Sequence, residues 1–225
     1  MDFKNMIFTI GVGLSLLLLY SSCGKEKCTK IYNPILEVNI FNDLDTFNLN
    51  DTFLFSCKSD ITLPNFNTNE KVNFYQFNFD LLFFLRRYHD TATYETSLDL
   101  SNGFNCFEII DIIGTREKVN NFENRIFHIQ TIDSLNFAFK IIPKVKGLYY
   151  ISIGNHQQTN NHTPKNINIT NSDCKEYFNY LCPRFNNGKV NSNLINHVTE
   201  FKRPTPFTDL EIFKKQNSIY YFYVK

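Results

Sequence analysis

Five histidines, six cysteines and scattered carboxylates are the residues of this 225-residue chain that could do chemistry, and their spacing decides which chemistry. A serine hydrolase of the nucleophile-elbow kind needs Gly-x-Ser-x-Gly to present its hydroxyl on a strained turn, and the chain has none. A zinc protease needs His-Glu-x-x-His, which sets two imidazoles on one helix face, and this too is absent. Thiolate zinc sites need close pairs such as Cys-x2-Cys, and Cys23, Cys28, Cys57, Cys106, Cys174 and Cys182 include no such pair. No metal, cofactor or catalytic residue is therefore assigned.

Weaker constellations remain. His89 and Asp90 follow Arg86 and Arg87, whose planar forks suit a carboxylate or another anion; the same residues also make an ordinary polar strand end. His156 and His162 bracket the loop HQQTNNH without a placed carboxylate beside them. Asp43, Asp45 and Asp51 lie close together, but Phe47 and Asn48 stand where a calcium loop needs Asx and Gly, so the segment reads as a turn. Glycoside hydrolysis needs two placed carboxylates, and Asp80, Asp90, Glu95 and Asp99 are available without a spacing that nominates a pair. Tyr149, Tyr150, Tyr220, Tyr221 and Tyr223 sit in strand-like runs, where alternate side chains must face outward and offer aromatic surface to a sugar. The lack of Trp weakens that platform.

The elements that would position these residues are mostly strands. With 24 Phe, 12 Tyr and little Ala, the composition favours β structure. ILEVNIF (35–41) alternates apolar and polar, NDTFLFSCKS (50–59) follows, and Tyr75, Phe77, Phe79, Leu81, Phe83 and Leu85 occupy every odd position of a long run. LPNFNTNEK (63–71) reads as loop. GFNCFEIIDIIG (103–114) is another strand; NRIFHIQTI (124–132) and SLNFAFKIIP (134–143) read as a hairpin; KGLYYISIG (146–154) enters through a Lys-Gly turn. About seven strands separated by short polar turns predict a sandwich.

Residues 154–172 are polar loop, and the pattern then changes. SDCKEYFNYLC (172–182) predicts a short helix capped at Ser172 or Asp173 with Glu176 in its first turn. SNLINHVTEF (192–201) and TPFTDLEIFKK (205–215) predict two more, before the closing strand SIYYFYV (218–224). The expected architecture is one domain over residues 31–225, with loop and short helices at 154–217 packed on it. Net charge is +1, with residues 31–113 acidic by eight charges and the rest basic. No basic run, zinc finger or aromatic-basic motif points to nucleic acid.

Cys174 and Cys182 are a candidate disulfide only if the chain turns between them. On one continuous helix their Cα atoms would lie about 12 Å apart, beyond the roughly 4.4–6.8 Å that a bridge allows. Cys57 and Cys106, on expected strands, can pair across a sheet or lie buried.

The N-terminus decides location. Met6 to Tyr20 would span about 22 Å as a helix, short of the roughly 30 Å of a bilayer core. It fits a signal-peptide apolar region ending at the small residues Ser21 and Ser22. Tyr20-Ser21-Ser22-Cys23, followed by the polar linker GKEKCTK, resembles a bacterial lipobox of the relaxed Ser-Ser-Cys kind found in Bacteroidota-type lipoproteins; Tyr20 stands where Leu is usual. The resemblance implies that residues 1–22 are removed, that Cys23 is diacylated, and that residues 23–30 link it to the domain. A plain secreted chain and an uncleaved anchor are the alternatives. LNDTFLFSC, PKVKGLYYISIG and the aromatic ending YYFYVK resemble strands of immunoglobulin-like domains in surface lipoproteins of that type. That implies an all-β, immunoglobulin-like antiparallel β-sandwich with a short, partly helical C-terminal region, lipid-anchored to the outer membrane. The expected function is a non-enzymatic binding or structural module for a protein or glycan partner; the alternative is a hydrolase of envelope or environmental polysaccharide or peptide.

Overall fold

The computed structural model describes residues 28–42, 44–75, 77–88, 103–120, 123–155, 165–167, 173–188 and 219–225. The fold is all-β, with no α-helix among the described residues. One large sheet runs in the order β3 (Thr46–Phe47), β17 (Ile219–Val224), β13 (Gly147–Asn155), β7 (Leu81–Tyr88), β10 (Glu123–Phe127), β9 (Thr115–Lys118). The other runs β11 (Ile129–Gln130), β12 (Ser134–Pro143), β4 (Phe53–Asp60), β2 (Ile35–Phe41), β16 (Cys182–Phe185), with β8 (Phe107–Ile113) continuing along β12 beyond β11.

The two large sheets face each other in a sandwich-like arrangement because their alternating strands turn Phe inward. Phe137, Phe139, Leu135 and Ile141 of β12 are buried, as the alternation predicts, and so are Leu81, Phe83 and Leu85 of β7. Across the gap Phe55 stacks on Phe83 with centroids 4.8 Å apart, and Phe53 meets Phe222 edge-on at 5.4 Å. Such ring pairs contribute about 0.5–1.5 kcal/mol beyond their buried area.

Two arms of one bent hairpin cross between the sheets. β8 pairs with β12 in one sheet, turns at Gly114, and continues as β9 in the other. The returning arm is β10, which pairs with β7, and then β11, which pairs with β12. Gly114 has φ +73°, and a Cβ there would lie 2.4 Å from the Phe127 carbonyl oxygen, so the bend requires glycine. The hairpin expected from 124–143 thus exists only in its β11–β12 part, because the chain changes sheet at His128.

Other expectations are corrected. The sheets are mixed rather than antiparallel: β2–β16, β3–β17 and the ladder between β1 (Thr29–Tyr32) and β15 (Lys175–Phe178) are parallel. The run 75–85 is a strand only from Leu81; Tyr75 is half exposed, and Tyr75 N–H donates to Asn73 Oδ1 while Phe77 N–H donates to the Phe74 carbonyl in a local turn. Phe77 and Phe79 are buried nonetheless, Phe77 stacking on Phe178 at 4.6 Å. The loop 63–71 is flanked by the short pair β5 (Thr62–Pro64) and β6 (Lys71–Asn73).

The helix expected over 172–182 is instead β15 and the start of β16. β15 lies between β1 and β14 (Lys165–Ile167) in a small third sheet, and strand alternation there buries Glu176, whose carboxylate accepts from the Tyr32 hydroxyl at 3.0 Å. Long-range pairing overrides the helical spacing. β1 begins at Thr29, inside the segment read as linker. The helices expected at 192–201 and 205–215 lie outside the described residues.

Cys174 is bonded to Cys28, not to Cys182, with Cα atoms 4.7 Å apart; the parallel β1–β15 ladder brings them together. Cys57 and Cys182 are buried free thiols, and Cys106 is buried. The bridge joins residues 146 apart in sequence, and a closure of that size restricts the unfolded chain by about 5 kcal/mol in the chain-entropy account. Cys174→Ser is expected to lower the urea midpoint by the equivalent of about 2–5 kcal/mol, and reductant should shift the unsubstituted protein equally. A midpoint insensitive to both would show that the bridge is not formed.

Candidate functional site

Several sequence candidates, namely Cys23, His89, Asp90, Glu95, Asp99, His156, His162 and His197, lie outside the described residues. The described ones are engaged in structure. Arg87 donates to the Lys146 carbonyl at 2.8 Å, and Arg86 lies over Phe84 and bonds the Tyr150 phenol, whose pKa burial raises and Arg86 partly lowers. Asp80 pairs with Arg125 at 3.0 Å. Asp51 accepts from the Asn48 backbone N–H at 2.7 Å, making the turn that the sequence implies there. Among the described residues no three His, Cys, Asp or Glu side chains are grouped to hold a metal.

The Cys57 and Cys182 thiols are held in the protonated form. Burial and the nearby Glu37 carboxylate push the Cys57 thiol far above its ordinary range, and burial pushes Cys182 up to about 12. Thiolate is the nucleophile, so Cys57 and Cys182 should resist a thiol-specific reagent in the native protein and react on unfolding; Cys106, also buried, should be shielded by lack of access. Labelling of any of the three without denaturant would contradict their burial.

His128, at the sheet-changing corner, sets its Nε2 3.2 Å from Gln130 Oε1, and Gln130 in turn donates to the carbonyls of Tyr75 and Phe77. Burial lowers its pKa below the ordinary 6.5, against the opposite pull of the Gln130 and Ile126 hydrogen bonds. The unfolded chain therefore takes up the proton first, and the stability contributed by neutral His128 is full above pH 6.5 and lost as pH falls through the lowered folded value. His128→Gln should flatten the decline of stability just below pH 6.5, read by denaturant titration across pH; parallel curves would remove His128 from the pH response.

The two large sheets differ on their outer faces. On the β13–β7–β17 sheet the outward side chains Leu82 and Tyr221 are only 0% and 2% exposed, so that face is covered. Tyr149 and Tyr220 point into the core, and Tyr150 packs against Tyr221 at 5.9 Å. The tyrosines therefore form no exposed row for a sugar.

Among the described residues the outer face of the other sheet is more open, although Ala138 at its centre is buried. The inward alternation of β12 leaves Ser134, Asn136, Ala138 and Lys140 facing out. Register then defines rows across the face: Ile129–Asn136–Lys58; Ile113–Ala138–Ser56–Asn39; and Ile110–Lys140–Leu54–Phe41. Ile129, Ile113 and Ile110 form an aliphatic column on the edge beside β12, and Ile110 and Phe41 are 43% and 55% exposed. The rim is salt-bridged: Glu108 with Lys144 at 3.0 Å and Glu37 with Arg184. Arg116 reaches back from β9 to pair with Asp111 at 2.5 Å and donate to the Ile109 carbonyl at 3.0 Å, its guanidinium over the Phe139 ring.

Sequence reasoning singled out polar clusters and missed this face. The signal was legible only in part: FEIIDII is too apolar for a strand with one wet side.

No protein-family model matches the chain, and no curated protein matches it. Among solved structures, the human F-spondin reeler domain (fragment 1) aligns over 72% of this chain and 93% of that one, with 9% identity and a TM-score of 0.29, too low to establish a shared fold.

Proposed function

We propose that this protein is a bacterial envelope lipoprotein whose immunoglobulin-like β-sandwich is a non-enzymatic module for binding a protein partner. The observation that carries the binding reading is the open face: exposed Ile110, Ile113, Ile129 and Phe41 around Lys140, on a molecule whose opposite outer face is covered. Contiguous exposed apolar surface of this kind marks interaction sites. Its side chains are aliphatic, with one Phe and no Tyr, which suits an apolar protein surface better than the stacked faces of a glycan.

The lipid anchor is inferred from the Ser-Ser-Cys23 resemblance, and the immunoglobulin-like assignment from strand rhythm together with two facing aromatic-cored sheets. Acylation at Cys23 would add about 0.8 kcal/mol of membrane affinity per buried CH₂. Four residues lie between Cys23 and the disulfide-held Cys28, so the five steps reach at most about 18 Å at roughly 3.5 Å per residue. The domain would therefore stand close to the bilayer.

Two measurements test the reading. The N-terminal peptide of protein extracted from native membranes should begin at Cys23 with acyl mass added, and Cys23→Ser should release the protein from the membrane; a peptide beginning at Met1 or at an unmodified residue would remove the anchor. A benzophenone amino acid in place of Ile110 should crosslink to protein in intact cells, whereas failure to form any adduct would count against the face as a binding surface.

A further inference from the structure

We infer that the outer face of the small sheet β1–β15–β14 rests on the bilayer, with Ile31 seated among the headgroups of an anionic lipid surface. This deepens the lipid-anchored reading above and rests on it. Register pairs Thr29 with Lys175 and Ile31 with Tyr177, so alternation turns these four side chains to one side of the sheet. The other side carries Tyr32, Glu176 and Phe178, all buried, with Phe178 stacked on Phe77. Ile31 on the outward side is 47% exposed. Its strand is held from the flank, where Asn65 Nδ2 donates to the Ile31 carbonyl at 3.1 Å. An exposed aliphatic side chain beside a Tyr suits the boundary between headgroups and lipid tails, where an aromatic ring with a polar tip also settles.

The tether ends at the rim of this face. Cys28 and Cys174 immediately precede Thr29 and Lys175, and their bridge pins the heads of both parallel strands to one point. Acyl chains on Cys23, within about 18 Å of that point, would hold the head of the small sheet against the headgroups. The open face of the large sheet points its apolar row elsewhere. β2 and β16 carry the two chains onward in parallel, and Phe41 stands at the far end of β2, about 20 Å beyond Ile35 by strand rise. Register places Phe41 in one row with Ile110. Docking through the small sheet therefore leaves that row clear of the bilayer for its protein partner.

Charge agrees with an anionic surface. Lys175 is exposed on the docking side, with no ion-pair partner among the described residues, and the tether adds Lys25 and Lys27 against Glu26. The other charges around the sheet balance. Lys30 stands opposite the buried Glu176 on the inward side, Lys165 of β14 offsets Asp173 next to the bridge, and Glu70 is followed by Lys71 in the turn that flanks β1. The next acids, Asp60 and Asp133, lie at the Ile35 end of the large sheet, past Pro34. The balance left at the tether and the docking side is basic, which anionic headgroups attract.

The chain has no Trp, so a single one reports its own surroundings by fluorescence. The test uses Ile31→Trp and Ile110→Trp proteins, purified from membranes in full length and reconstituted on vesicles of phosphatidylcholine and phosphatidylglycerol, with and without bromine on the acyl chains. Both positions are exposed, so the fold should tolerate the exchanges. The emission of the Ile31→Trp protein should shift to the blue and fall to about half on brominated vesicles, while that of the Ile110→Trp protein stays unchanged. Adding Lys175→Glu, or leaving out phosphatidylglycerol, should remove most of that quenching while the protein still pellets with the vesicles through its acyl chains. Protein that pellets without quenching at position 31, or with quenching at position 110 as strong as at 31, would overturn the docking and leave the anchor standing. Quenching at position 31 that ignores both charge changes would overturn the anionic surface as partner. Protein that carries no acyl mass on Cys23 and does not pellet would remove the anchor and the docking together.

Discussion

Phe55 lies where the two large sheets meet, stacked on Phe83 of the opposite sheet and packed against Phe137, Phe139 and Phe185 of its own. The rest of the structure depends on that aromatic contact, because two sheets held by rings must stay in register along their whole inner faces. A one-residue slip in any strand would turn its Phe to water and its Lys or Asn to the core. Each buried ring replaced by Ala would destabilise by about 3–5 kcal/mol. The same layer continues through Phe53, Phe47, Phe222 and Tyr149, so the core is one body of rings reaching from β3 to β12.

A sandwich leaves edges, and this chain manages them by local devices. On one side the hairpin bends at Gly114 and His128, so each arm belongs to both sheets. Arg116 seals the mouth, its guanidinium over Phe139 and bonded to Asp111 and the Ile109 carbonyl. On the other side β16 adds in parallel to β2, and Asn186 Oδ1 accepts from the Ile40 N–H at 2.7 Å beyond its end. Below, the β1–β15 ladder is fixed by the Cys28–Cys174 bridge and by Tyr32 bonded to the buried Glu176. Among the described residues, the outer face of β12 and its neighbours carries exposed Ile110, Ile113, Ile129 and Phe41.

The sequence by itself determined the β class and most of the inner faces. Period two is a local property, and strands such as ILEVNIF and SLNFAFKIIP carry it unbroken, so Leu36, Val38, Ile40, Leu135, Phe137, Phe139 and Ile141 were legible as core. Tertiary structure alone decided which strands pair and where the chain changes sheet. NRIFHIQTI reads as one strand, yet its two halves belong to different sheets because Ile126 pairs with β7 and Ile129 with β12. SDCKEYFNYLC has helical spacing, yet it is strand because β1 and Cys28 meet it from 146 residues away. The open face is of the same kind: Ile110, Lys140, Leu54 and Phe41 become one row only through three ladders. Hydrophobic period reports which side of a strand is wet or dry, whereas partners, crossings and surfaces depend on contacts between residues that no local spacing encodes.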